Sequence, residues 1–347
     1  MISARFERHR FYLLACLCLL LCIAPDGAAA TTDSAPALNL PALSAEREAW
    51  LVTIAPGEIY WQRFGHNAIW LREPARRLDH TFNFGYFDFE QENFFLRFLT
   101  GRMLYQSLAF PATAEMAAYA REGRAIRAQR LNLSTTEYEK LRDHLLWHVQ
   151  PANRDYLYDY YRDNCSTRIR DAIDLALNGA LSTATGAQAA EANFREHTRR
   201  LTGMTFWYHL GLEIVLGRPV DRPVSRWDEM FIPAILAEVV GSAEVLTERG
   251  ALAANAPWIF PGVREESAGS TGWRYLAASL IVLLVVGLVL RGKPAAVAAL
   301  ARGWLLLAGM LGVLLVLLWA FTDHRVVGPN ANLLLFNPLF LLVLKDK

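Results

Sequence analysis

One cysteine stands where a helix should begin. In "YYRDNCSTRIRDAIDLAL" Asn164 is a good N-cap, Cys165 opens the periodic apolar run that follows, and Gly179 ends that run. A thiol in the first turn lies at the positive end of the helix dipole, beside backbone N–H groups that lack intrahelical partners. Both favour the thiolate, the nucleophilic form. The same N–H groups, with Asn164 beside them, could hold an oxyanion. The plainer alternative is a small buried residue at a helix start. A thiol nucleophile needs a base, and the base needs an orienter. His66 in "RFGHNAIWLRE" follows a glycine that permits close backbone approach and opens a strand-like alternation. Asn83 in "TFNFGYF", on the next strand, is the candidate orienter, its alternative being an ordinary edge-strand or turn Asn. His80, just before Asn83, is an auxiliary candidate. His144 and His148 lie four apart on a helix but have no third ligand, so they read as packing or surface residues, and no metal site is expected.

The elements that must position these groups follow from periodicity. "WLVTIA", "HNAIWLR" and "TFNFGYFDF" are rich in β-branched and aromatic residues, and Trp50 to about Tyr105 reads as strands. From Ala112 the pattern turns helical, through "TAEMAAYAREGRAI" and then "STTEYEKLRDHLLWHV", where Ser134 or Thr135 precedes Glu137 as an N-cap. Residues 182–196 read as a surface excursion. "FWYHLGLEIVLGRPVDRPVSRWDEMFIPAILAEVV" returns to the core or lies on a membrane surface. Around Phe206, Trp207 and Tyr208, and around Met230, Phe231 and Ile232, it offers either core or the lining of an apolar groove. Pro257, Pro261, Gly262, Gly269 and Gly272 mark a linker.

The ends set the compartment. Arg5, Arg8 and Arg10 precede an apolar run from Phe11 to Ala24, shorter than a membrane span, and Ala28 and Ala30 offer a cleavage site. Residues 1–30 therefore read as an export signal and 31–49 as a lead-in, with an uncleaved anchor as the alternative. Of the four cysteines, Cys16, Cys18 and Cys22 fall inside the signal, so cleavage leaves Cys165 with no disulfide partner in an oxidising compartment. Residues 50–262 form the exported domain and 263–347 a membrane domain. Its spans fall at about 275–290 and 303–321, and an apolar tail at 333–344 is too short and Pro-interrupted for a full crossing. Arg291, Lys293 and Arg302 lie between the spans without an acidic residue, which puts that loop in the cytoplasm and the large domain outside. A net charge of +1 without a basic run excludes nucleic acid as an electrostatic partner. There is no Gly-rich phosphate loop, and no cofactor is called for.

The chemistry-bearing residues run His, Asn, then Cys at a helix start. Papain-like enzymes run Cys, His, then the polar orienter. The expected fold is therefore α+β, a circularly permuted papain-like domain followed by transmembrane helices.

"FGHNAIWLRE", "FNFGYFDF", "FLTGRMLYQSLAFP", "YYRDNCST", "LGRPVDRPVSRWDEMFIP" and "FTDHRVVGPNANLLLFNPL", in that order, resemble the Lnb-type lipoprotein N-acyltransferases from about Trp50 to the C-terminus. The catalytic part is similar to permuted NlpC-like and lecithin retinol acyltransferase-like thiol enzymes. The resemblance implies acyl transfer from a membrane glycerophospholipid to the α-amine of a bacterial lipoprotein's lipidated N-terminal cysteine. It implies Cys165 as nucleophile and His66 as base, on the periplasmic side of a multi-pass protein of the inner membrane. It also leads one to expect further membrane-embedded sequence beyond Pro338. Asp323, His324, Asn330 and Asn332, just past the second span, are candidate lipid or headgroup contacts, or else a solvated loop. The same Cys and His would serve a cell-wall peptidase or amidase, for which two spans would be superfluous. A membrane-tethered scaffold with an inert Cys165 is the non-enzymatic alternative.

Overall fold

The computed structural model describes residues 36–242, 245–247, 250–253, 257–263 and 272–344. The export signal, its cleavage site and its three cysteines lie outside these residues.

The chain is α+β, with an antiparallel sheet as its frame. Strands β1 (Glu48–Ile54), β2 (His66–Glu73) and β3 (Leu78–Phe87) form a meander. Helix α1 (Phe94–Thr100) then leads to β4 (Leu104–Pro111), α2 (Ala112–Arg121) and β5 (Ile126–Arg130). Helix α3 (Thr135–His148), β6 (Asp155–Leu157) and α4 (Cys165–Ala176) follow. Both faces of the sheet are covered. Ala49, Leu51, Ile69, Leu71, Phe82 and Phe84 point into the larger core, beneath α3 and α4. Trp50, Val52, Ile54, Ala68 and Trp70 point into a second core with Met116 and Ala120 of α2. Two buried faces explain why "HNAIWLR" is nearly continuously apolar and does not alternate cleanly.

The capping reading holds. Ser134 and Glu137 form a capping box at the start of α3, and α4 starts at Cys165 and is closed by Asn178 and Gly179, both with positive φ. Two segments depart from expectation. The helix read through Ile126 stops at Arg121, because Gly123 takes a left-handed conformation and turns the chain into β5, which pairs with β1. Part of the expected linker, Trp258–Phe260, is the edge strand that pairs with β5. In both cases the decisive partner is a strand distant in sequence, which a local pattern does not reveal.

After the sheet, α5 (Ala180–Thr185), α6 (Phe194–Thr202) and α7 (Phe206–Val215) complete the domain with two short helices, Arg226–Glu229 and Pro233–Gly241. The 182–196 excursion is anchored, since Phe194 is buried and Ala189 bridges Ser225. Met230, Phe231 and Ile232 are core residues, whereas Trp207 remains exposed.

Two C-terminal helices, Gly272–Leu290 and Pro294–Phe321, are long and apolar enough to cross a membrane. The second begins nine residues before the expected span, since its Ala-rich lead, with Pro294 in the first turn, is a good helix start. The tail folds back along it. Leu341 packs where a Cβ on Gly309 would sit and the Phe336 carbonyl where one on Gly312 would sit, so these small residues admit the close approach. The spans are bolted to the domain by α7: Arg274 donates to the Met204 carbonyl (2.9 Å) and Tyr275 packs on Phe206 (4.9 Å between rings).

Asn164 carries four hydrogen bonds at the head of α4. Its Oδ1 accepts from the N–H of Ser166 and of Thr167 (both 2.9 Å), and its Nδ2 donates to the carbonyls of Tyr160 (3.0 Å) and Phe231 (2.9 Å). Asn164→Ala should therefore cost about 2 kcal/mol or more. The check is the midpoint of a denaturant titration in detergent; an unchanged midpoint would refute the assignment.

Candidate active site

The site is built where two strands part. β2 and β3 pair from Glu73↔Leu78 to Ala68↔Asn83, and there the ladder stops, although both strands continue. Beyond it Gly85 takes φ +97°, and the β3–β4 register shifts between Asn83 and Tyr86. Cys165 packs against this opening. A Cβ on Gly85 would stand 3.5 Å from the Cys165 Cβ and 3.5 Å from Tyr158 Cε2. The backbone N–H of Asn67, released from the ladder, points at the thiol, as do those of Ser166 and of Cys165 itself. One residue along, the Ser166 hydroxyl lies 2.9 Å from Asn67 Oδ1, which ties the head of α4 directly to β2.

His66 and Asn83 lie on the α2 face of the sheet. His66 Nε2 is 2.9 Å from Asn83 Oδ1. The amide orientation follows from its other end, where Asn83 Nδ2 donates to the Thr81 carbonyl (3.3 Å) and to Glu115 Oε2 (3.1 Å). With Nδ2 so committed, Oδ1 accepts from His66, so Nε2 carries the proton and Nδ1 keeps the lone pair of a base. Glu115, on α2, also accepts from the hydroxyls of Thr81 and of Tyr86 (3.0 Å), and so anchors the orienter. Burial raises the Glu115 carboxyl above the usual range, and its three donors pull it back.

Cys165 and His66 share neighbours across the opening. Tyr119 lies tilted against His66 (6.1 Å between rings) and is close enough to Cys165 for the ionised forms of the two to repel each other. The buried Arg124, held by the Ala55 carbonyl (2.8 Å), acts on both groups. Among the hydrogen bonds of the described residues, none joins the thiol to the imidazole. Burial drives His66 down to about 4, against the Asn83 hydrogen bond, with Arg124 lowering it further. Burial drives Cys165 up to about 11, against the three backbone N–H groups and Arg124. The local expectation of a thiolate at a helix start is thus overridden. Desolvation outweighs the helix terminus, and both groups rest neutral.

The remaining sequence candidates are placed as follows. Asn164 is the cap, and with both amide protons on carbonyls it has none for an oxyanion; the backbone N–H groups of Cys165 and Asn67 are the donors that remain beside the thiol. His80 pairs with Leu71, five residues along the sheet from the His66 end and on the opposite face from Asn83, roughly 15 Å away. The structure does not bring it to the site. Asp323 pairs with Arg102 (2.6 Å), and the His324 Nε2 proton lies on the Phe98 carbonyl (3.0 Å). Asn330 and Asn332 donate to the last carbonyls of α7, at Glu213, Ile214 and Val215. The polar atoms offered for headgroups therefore clamp the segment after the second span to the domain. His144 and His148 meet edge to face (4.5 Å between rings), and His148 packs on Phe84.

Glu115, Arg124, Tyr119 and the Asn67–Ser166 bond escaped the sequence reading. For Glu115 a signal existed: it lies in the spacing Ala112, Glu115, Met116, Tyr119, Ala120 that forms the inner face of α2. A carboxylate in that stripe needs buried donors.

Two outcomes test this geometry in a chain with Cys16, Cys18 and Cys22 changed to Ser. Because the thiol is raised to about 11, its alkylation by iodoacetamide should keep rising about tenfold per pH unit from pH 7 towards 11. A resting thiolate–imidazolium pair would instead give a plateau from pH 5 to 8. Asn83→Ala frees the imidazole to swap tautomer and should lower turnover by roughly 10²-fold or more at unchanged fold. A change under twofold would remove Asn83 from the site.

Residues 43–202 match the family model described as the Lnb N-terminal periplasmic domain, and residues 271–345 match that of the Lnb transmembrane domain. No curated protein and no solved structure matches the chain. The two matches fall in the order the fold displays, with strands β1 to β6 and the Cys165 helix in the first and both long apolar helices in the second. The chain belongs to the Lnb family, as a membrane protein whose periplasmic N-terminal domain is followed by a transmembrane domain.

Proposed function

We propose that the chain is a cysteine-dependent N-acyltransferase of lipoprotein maturation. In this reading it takes an acyl chain from a membrane glycerophospholipid and passes it to the N-terminal amine of a lipidated apolipoprotein. The protein would sit in the bacterial inner membrane with its site on the periplasmic side. The observation that carries the reading is the oriented His66–Asn83 pair facing the gap at which Cys165 stands, in a domain bolted to membrane-crossing helices. Membership of a family linked to lipoprotein maturation supports the same reading. His66 and Asn83 on adjacent strands, with the cysteine on a later helix, are the order that a circular permutation of a papain-like fold would give.

The cycle follows from two neutral groups. His66 Nδ1 takes the thiol proton as Sγ attacks the ester carbonyl carbon. The oxyanion forms against the Cys165 N–H, and Arg124 favours the negative charge. The C–O bond breaks, the lysophospholipid oxygen takes the proton from His66, and a thioester remains. The acceptor amine attacks that thioester and its proton passes to His66; as the C–S bond breaks, the sulfur takes that proton back, which regenerates the thiol and the neutral imidazole. A thioester is more reactive towards amines than the starting ester, which favours a thiol over a hydroxyl nucleophile. Since His66 loses its proton near pH 4, the base form persists to lower pH than an ordinary imidazole allows. Activity should therefore hold at pH 5.5 and fall only on further acidification.

The test is intact mass spectrometry after incubation with phospholipid. Wild type should gain one acyl mass that hydroxylamine removes, and Cys165→Ala should gain none. Transfer to a lipopeptide amine by Cys165→Ala would refute the mechanism. Cleavage of cell-wall peptides without an acyl adduct would move the assignment to an amidase.

A further inference from the structure

Helix α1 is apolar on nearly every side and buries none of its residues. Its sequence is FFLRFLT, and Phe95 is 78% exposed, with Leu96, Phe98 and Leu99 also exposed. Among the described residues they are covered only in part. A seven-residue helix with this composition is a poor water-facing element. Its position supplies the missing partner. The carbonyl of Thr100 accepts from the Asp323 N–H (2.8 Å), and the Phe98 carbonyl accepts from His324. Gly101 is pressed so close to this segment that a Cβ would stand 2.9 Å from the His324 backbone nitrogen. Asp323 and His324 come directly after Phe321, the last residue of the second long helix, and α1 packs beside that helix. The exposed face of α1 is thus held level with the outer end of a membrane-crossing helix.

An aromatic run leads inward from it. Phe95 touches Phe94 (5.4 Å between rings), Phe94 touches Phe89 (5.3 Å), and Phe89 touches Phe87 (4.8 Å). Phe87 then meets Tyr105 (5.3 Å), which stacks on Tyr158 (4.0 Å). Tyr158 is the ring that shares the Gly85 opening with Cys165.

We propose that α1 is a membrane-docking element whose partner is the outer surface of the lipid bilayer, and that the aromatic run from Phe95 to Tyr158 is the path by which a lipid's acyl chain reaches Cys165. The docking stands on the geometry of α1 and the adjoining helix; the path rests on the acyltransfer reading above. Apolar side chains at the outer boundary immerse among headgroups and upper acyl chains, where aromatic rings are favoured. An acyl chain leaving the bilayer then meets apolar rings in place of water.

Full-length protein in nanodiscs of phosphatidylethanolamine and phosphatidylglycerol tests both parts. Benzoylphenylalanine at position 95 or 96 should photocrosslink to phospholipid, seen as a lipid mass. The same group at Leu175, exposed at the far end of α4, should not. Crosslinks at 95 and 96 only to a second copy of the chain, or no lipid adduct above the Leu175 control, would overturn the docking. Leu96→Ser/Leu99→Ser, which leaves every ring of the path in place, should slow acylation of Cys165 by bilayer phospholipid about tenfold or more. It should leave acylation by the soluble ester 4-nitrophenyl butyrate unchanged. Equal loss with both donors would overturn the path. If wild type forms no thioester with either donor, the acyltransfer reading and the path fall, while the crosslinks still decide the docking.

Discussion

A thiol carried on one side of a sheet and an imidazole carried on the other share one opening, and the whole site depends on how the sheet allows it. β2 and β3 separate after Asn83, at the point where Gly85 takes a backbone conformation that side chains disfavour. The parting frees the Asn67 N–H and leaves room for Cys165. Continued pairing would put a closed ladder between the α4 head and His66. A side chain at position 85 would fill the same space and strain the backbone.

The supports on the two sides are built differently. The thiol is held through the helix start that carries it, with the Asn164 side chain gripping the first-turn N–H groups of α4 and the Ser166 hydroxyl reaching to the Asn67 side chain. The imidazole is held through side chains, in a series running from Glu115 to Asn83 to His66. That series settles the tautomer without a charge in contact with the ring, because an amide lies between ring and carboxylate. An ion pair would have raised the basicity of His66; the buried amide leaves desolvation to lower it. The thiol is raised for the same reason. Resting neutrality avoids two unsolvated charges in a pocket of aromatic rings.

The membrane part is joined to this site through its outermost residues. Asn330 and Asn332 bind the end of α7, Arg274 binds the Met204 carbonyl just before it, and the Asp323 N–H and His324 bind carbonyls at the end of α1. These contacts replace water on helix-terminal carbonyls that otherwise lack partners. They hold the aromatic wall beside Cys165 at a set height relative to the apolar helices.

Part of this architecture is written in local patterns along the chain. An Asn before a periodic run caps a helix, so the start of α4 at Cys165 was readable, as was the Ser134 cap of α3. Strand patterns flanking a short turn put His66 and Asn83 on neighbours, and apolar length marked the two crossing helices. Only the tertiary structure decided the rest. β5 and the Trp258–Phe260 strand exist because distant strands offer them free edges. Glu115 and Arg124 enter because α2 and the turn after it pack on the His66 face. The direction of the thiol's acidity reversed, since a helix terminus is a local property whereas desolvation is the sum of everything packed around the sulfur. Asn330 and Asn332 look like free polar groups until the end of α7 is brought to them. Capping and periodicity act over a few residues and can be read along the chain; burial and cross-sheet hydrogen bonds need partners that only folding brings together.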